Sequence, residues 1–183
     1  DINDAPCNTE EFREKASGVS VEETDTFYDL IVCGGGIAGV CMALTAVYEG
    51  LNTALIQDRP VLGGCNSSEI KVGLGGFIRS EPYPALGNVL TEISPVYGGP
   101  GSFEKSVYED DRKLNAFRTA RQWAGGKYGV FLNEHIVAIE KENDIITSVT
   151  TKNIYTGKIK RYKGRLFADC TGDATLSRLG GAQ

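Results

Sequence analysis

"DLIVCGGGIAGVCMAL", residues 29–44, starts as an apolar run, breaks on three consecutive glycines and resumes with helical apolar spacing. Gly34, Gly36 and Gly39 form G-x-G-x-x-G at that break. At a strand-to-helix joint each glycine has its own physical reason. The first permits the tight turn, the second lets a pyrophosphate touch the backbone, and the third lets the helix lie close to the strand. Free N–H groups at the helix start, together with the helix dipole, then hold phosphate charge. Working outward, residues 28–32 read as a short strand. From Ile37, apolar residues recur at 37, 40, 41, 44, 47 and 48 as one helical stripe, with Gly50 as the stop. Residues 53–56 read as a second strand. The unit is βαβ, with parallel strands and a right-handed crossover, and in that setting the glycine loop reads as a dinucleotide site.

An acidic residue closing the second strand is expected about 20 residues past the glycines, where it takes the ribose hydroxyls. The sequence there is "ALIQDRP". Gln57 follows the strand directly and fills the slot, able to bond a hydroxyl through its amide oxygen, though without charge. Asp58 comes next, either as its substitute or as a solvated loop residue.

Residues 1–27 are polar and acidic and read as an arm or linker, leaving 28–183 as one α/β domain. Residues 60–103 are rich in Gly, Pro and Ser and read as loops. A helical pattern returns over 107–124, with Val107, Leu114, Phe117, Ala120 and Ala124 on one side. Strands are expected at 130–132, 136–141, 145–153 and 158–167. Asn143-Asp144 and Thr156-Gly157 supply turns, so the last three strands form an antiparallel meander. The chain then runs through "LFADCTGDATLSRLGGA" into another glycine-containing turn.

With 183 residues, 41% of them hydrophobic, the chain buries one substantial core. A formal charge of −5 gives no electrostatic reason for a nucleic-acid partner. No apolar stretch reaches the roughly 18 residues a spanning helix needs, so no membrane partner is expected. Cys7, Cys33, Cys41, Cys65 and Cys170 show no C-x-x-C or zinc-type spacing. That favours a reducing compartment over a disulfide scaffold and offers no metal site. The first residue is Asp1, not Met, which leads us to expect that a leader, tag or upstream region is missing.

The run from Tyr28 through "RPVLGG" resembles the FAD-binding N-terminus of FAD-dependent oxidoreductases of the glutathione-reductase-like superfamily. "DCTGD", residues 169–173, is similar to that family's second phosphate segment, with Cys170 where alanine is common. The resemblance implies a Rossmann-like FAD-binding domain, a parallel sheet carrying an antiparallel three-stranded meander. It implies FAD as cofactor, with Gly34, Gly36 and Gly39 at the pyrophosphate and Gln57 at the adenosine ribose. Arg59 would lie near the adenosine end and Gly63 and Gly64 near the ribityl chain. Ile136 would meet the adenine through its backbone, and Thr171, Gly172 and Asp173 would close over the phosphates. Relatives continue into a substrate domain, so the flavin site is expected to be completed by a C-terminal region or a further polypeptide.

The resemblance implies an oxidoreductase performing a two-electron step on a small-molecule substrate. One alternative is an RNA-modifying flavoprotein acting through Cys65, and another is a non-catalytic nucleotide-binding module. Cys65 is the only catalytic candidate, and a small loop residue is the plainer reading. Asn66, Ser67 and Ser68 are hydrogen-bond donors either to the flavin or within the loop. Glu69 and Lys71 alternate as on an exposed strand edge. His135, the single histidine, reads as structural or solvated. "KIKRYKGR", residues 158–165, packs five cations into one strand and reads as a solvated hairpin edge.

Overall fold

The protein is described here by a computed structural model over residues 20–75, 81–93 and 110–181. Its elements in chain order are β1 (Val21–Cys33), α1 (Ile37–Tyr48), β2 (Thr53–Ile56), a 3-10 turn (Pro84–Gly87), α2 (Asn88–Ile93), α3 (Asp110–Ala124), β3 (Tyr128–Phe131), β4 (Glu134–Glu142), β5 (Ile145–Asn153), β6 (Ile159–Asp169) and α4 (Thr175–Leu179). The six strands order β3-β2-β1-β6-β5-β4. Strands β3, β2, β1 and β6 are parallel neighbours. The β4-β5-β6 meander is antiparallel, as the turn residues predicted. Asn143 and Asp144 both take positive φ, 49° and 64°, the backbone a two-residue hairpin turn needs.

Two apolar clusters hold the layers. One sets Val40, Ala43, Leu44 and Val47 of α1, with Ala116, Phe117 and Ala120 of α3, against Val32 and Leu55. The other packs Ile31, Ala54 and Ile56 against Ile136, Val149 and Tyr162 of the meander. The helical stripes and strand alternation seen in the sequence are the faces that meet in these clusters.

Several elements differ from expectation. β1 begins at Val21, so residues 21–27 are strand and not arm. Val21–Glu23 pairs with Ile159–Arg161, and after a register shift Phe27–Cys33 pairs with Lys163–Asp169. The strand holding "KIKRYKGR" is therefore internal, between β1 and β5, and not an edge. Its central cations are matched: Lys160 lies 3.9 Å from Glu22, Arg161 meets Glu23 at 2.6 Å and Glu140 at 3.1 Å, and Lys163 meets Glu23 at 2.9 Å. Lys163, and Arg161 beside it, hold the Glu23 carboxyl below its usual range. The 60–103 stretch contains the Pro84–Gly87 turn and α2 as well as loop. Val107 lies outside the described residues, as does Cys7, and α3 is seen from Asp110. Glu69 and Lys71 lie in turns, not on a strand edge, with Lys71 at φ 64°.

Candidate functional site

β1 and β6 lie side by side and end level, Cys33 opposite Asp169. Their exits, the glycine loop and the 170–173 turn, meet the exit of β2 around two adjoining clefts. The larger, about 510 Å³, is lined by Gly34, Gly36, Gln57, Arg59, Gly63, Gly64, Thr171, Gly172 and Asp173. The smaller, about 80 Å³, is lined by Ile136 together with Gln57, Thr171 and Asp173. Apart from Gly39, which packs inside the fold, every residue assigned to the cofactor from sequence borders this paired cleft.

The three glycines differ in what surrounds them. A Cβ on Gly34, at φ +102°, would stand 2.2 Å from the Cys170 carbonyl oxygen, so the two strand exits are packed backbone to backbone. A Cβ on Gly39 would stand 1.8 Å from the Gly34 oxygen, so no other residue lets α1 approach β1 this closely. Gly36 is the exception. It has an ordinary φ of −65°, and a Cβ there would meet nothing within 4 Å. Neither packing nor backbone conformation asks for glycine at this position, yet its α-carbon faces the larger cleft. A space held open against a side chain fits a pyrophosphate laid on the backbone. Gly63 docks on the same loop, donating its N–H to the Gly35 carbonyl at 2.8 Å.

Gln57 lines both clefts and also bonds within the protein. Its amide oxygen accepts the buried Gly35 N–H at 2.8 Å, so that oxygen is already engaged in shaping the glycine loop. Its Nε2 lies 3.5 Å from the Val61 carbonyl. Asp58 is about half exposed and lines both clefts, 3.8 Å from His135 Nδ1. His135 thus borders the smaller cleft and is not a remote surface residue.

Two residues escaped the sequence reading. Asp169 accepts from the Thr171 N–H and hydroxyl at 3.2 and 2.7 Å, and from the Ser177 N–H and hydroxyl at 2.8 and 3.0 Å. Its partial burial opposes ionisation, but these donors outweigh it and hold the carboxyl below its usual range. Lys113 is fully buried, and a Cβ on Gly63 would stand 2.6 Å from its Cε. The signal for Lys113 was available, since it lies three, four and seven residues before Ala116, Phe117 and Ala120 on the buried face of α3.

Burial, aided by the Asp169 carboxylate and Cys170, pushes the Cys33 thiol up to about 12, and burial pushes Cys41 to about 11. Neither thiol is a nucleophile at neutral pH. Cys65 is exposed on the larger cleft. Ser67 donates to the Gly64 carbonyl at 2.7 Å, Asn66 Nδ2 to the Val72 carbonyl at 3.0 Å, and Ser68 bonds Asp110. The donors of that segment hold the loop together and tie it to the start of α3. Among the described residues no group of His, Cys, Asp and Glu is placed to hold a metal ion.

Comparison with known proteins follows the same lines. Over 137 residues the chain is 30% identical to the tRNA uridine 5-carboxymethylaminomethyl modification enzyme MnmG of Mycoplasma capricolum, covering 70% of this chain and 20% of that protein. It is 37% identical over 71 residues to mitochondrial glycerol-3-phosphate dehydrogenase of Rattus norvegicus, covering 39% of this chain and 10% of the relative. The chain thus spans a fifth or less of the length of these relatives. In three dimensions it resembles the glycerol-3-phosphate dehydrogenase of Bacillus halodurans complexed with FAD, with a TM-score of 0.54 at 14% identity over 85% of this chain and 37% of the other. It also resembles RebC-10x, with a TM-score of 0.57 at 13% identity over 87% of this chain and 34% of the other. At those identities the likeness is one of fold, and the fold is the FAD-binding Rossmann type. Residues 29–183 match the family described as FAD dependent oxidoreductase. The chain belongs to the FAD dependent oxidoreductase family.

Proposed function

We propose that these residues bind the adenosine and pyrophosphate half of FAD for an enzyme that carries out a two-electron redox step on a small-molecule substrate. The observation that supports the reading is Gly36, a glycine that neither packing nor backbone conformation requires, lining the cleft between two strand exits. Bound FAD supplies the redox chemistry, and the chain supplies position and electrostatics. Gly34 and Gly36 present the glycine-loop backbone to the pyrophosphate, and Thr171, Gly172 and Asp173 face it from the opposite exit. Ile136 lines the adenine end, with Gln57 and Arg59 flanking the ribose and Gly63 and Gly64 the ribityl chain.

The ring end of the flavin is to be completed by protein outside this chain, since the relatives are far longer. Losing, for example, about 150 Å² of apolar contact at the ring would forfeit roughly 4 kcal/mol. ADP should therefore bind this chain almost as well as FAD does. Calorimetric titration of both ligands is the test, and nanomolar binding selective for FAD over ADP would contradict the assignment of the ring to a missing part. Binding of neither ligand would overturn the dinucleotide reading.

A second reading, RNA modification, draws on the MnmG relative and on exposed Cys65 beside the cleft. Lys160, Arg161 and Lys163 of β6 count against it, because they are already paired with Glu22, Glu23 and Glu140. Loss of turnover in Cys65→Ser with FAD still bound would favour this second reading.

A further inference from the structure

We propose that Asp169 is a positioning residue for the cofactor: its carboxylate brackets the 171–173 turn from both sides and presets it to receive the diphosphate. The inference rests on the dinucleotide reading above. One oxygen of Asp169 takes the N–H and hydroxyl of Thr171, where the turn begins, and the other takes those of Ser177, beyond it. The Thr171 hydroxyl in turn accepts the Thr175 N–H at 2.9 Å, closing a ring of bonds around Gly172, Asp173 and Ala174.

The backbone inside this ring is unusual. Gly172 sits at φ +82° and Ala174 at φ +51°. A left-handed alanine is disfavoured and persists only where its surroundings fix it. Nothing lies within 4 Å of a Cβ built on Gly172, so no neighbouring side chain pins the middle of the turn. The bracket holds its two ends, and Thr171, Gly172 and Asp173 border the cleft in the arrangement it imposes. A turn ordered before the ligand arrives spares the ligand the cost of ordering it.

A carboxylate near phosphate groups would by charge alone weaken their binding. Here both oxygens are occupied by donors, so the charge is turned toward the protein. The two views give opposite signs for Asp169→Asn. Removing the charge alone would tighten ADP binding, whereas breaking the bracket weakens it, because one side of the amide presents N–H groups to donors that need an acceptor.

The test titrates the whole chain with ADP by calorimetry and with adenosine by NMR, in wild type and Asp169→Asn, with circular dichroism to follow folding. The expected result is a folded variant that loses about tenfold in ADP affinity and stays within about twofold for adenosine. Unchanged or tighter ADP binding overturns the proposal, and so does an equal loss for both ligands, which would make Asp169 a general stabiliser. Should Asp169→Asn fail to fold, Ser177→Ala removes a single hydroxyl donor. It should cost about two- to threefold for ADP and nothing for adenosine, and wild-type ADP binding would overturn the proposal there. If the wild-type chain binds neither ADP nor FAD, the dinucleotide reading falls and this inference with it. Wild-type binding that Asp169→Asn leaves intact removes this inference alone.

Discussion

The exits of β1 and β6 are neighbours in the sheet and border the same cleft, yet they are shaped by opposite means. The glycine loop is fixed by missing side chains. Gly34 and Gly39 let three backbone segments touch, and Gln57 reaches in from β2 to satisfy the Gly35 N–H. The 170–173 turn is fixed by a side chain that is present, the Asp169 carboxylate with its four donors. Backbone contact is rigid and indifferent to pH. A carboxylate bracket is adjustable and titrates. Substitutions in the first loop should therefore act through sterics and those in the second through hydrogen bonding.

The largest effect is expected at Gly39→Ala. Its Cβ would fall 1.8 Å from the Gly34 oxygen, so α1 must move off the sheet. Overpacking of this kind should cost about 3 kcal/mol or more, read from urea unfolding. An unchanged midpoint would mean that the helix and strand do not touch there.

Gly36→Ala should leave the unfolding midpoint where it is, because its Cβ meets nothing. ADP affinity should fall by about a hundredfold, roughly 2.7 kcal/mol. Wild-type affinity in that variant would remove the phosphate from Gly36.

Gln57→Leu strips the Gly35 N–H of its acceptor in a buried place and should cost about 1–3 kcal/mol of stability. Gln57→Glu keeps an acceptor and should lose much less. If the two variants prove equally stable, the Gly35 bond contributes little.

A smaller effect concerns acid. The folded-state carboxyl of Asp169 lies below its ordinary value of 3.8, so it adds stability above that value and loses it as pH falls through the lower, folded one. Asp169→Asn should accordingly be less stable than wild type at neutral pH, with the gap closing in strong acid. Denaturant midpoints across pH would show it, and a gap that stays constant would contradict it. The thiols of Cys33 and Cys170 feel the same charge, which helps to hold both of them protonated.

Cys65→Ser should change least, with ADP affinity and stability near wild type, since the side chain is exposed and the loop bonds run through Asn66 and Ser67.

The amino-acid sequence by itself determined the βαβ unit, the glycine loop and the meander. Each is written in local spacing: a helical stripe from Ile37, a glycine pattern over six residues, and turn residues at Asn143-Asp144 and Thr156-Gly157. Gly34, Gly36 and Gly39 follow from the same locality, because a missing side chain acts on the atoms next to it.

Tertiary structure alone decided what charged and amide side chains do, because their partners lie far along the chain. The acidic stretch before Tyr28 reads as an arm until strand register sets Glu23 against Arg161, 138 residues away. The basic run reads as an edge for the same reason, since a row of cations sits on an internal strand where carboxylates of its neighbours lie alongside. Gln57 reads from sequence as a polar strand end, and only the placement of β2 shows its oxygen accepting from Gly35, 22 residues earlier. Asp169 looks like a strand end until the chain turns back to bring Ser177 to it. Backbone patterns are decided over a few residues, whereas a polar side chain has several partners of similar worth, and only the folded register selects one.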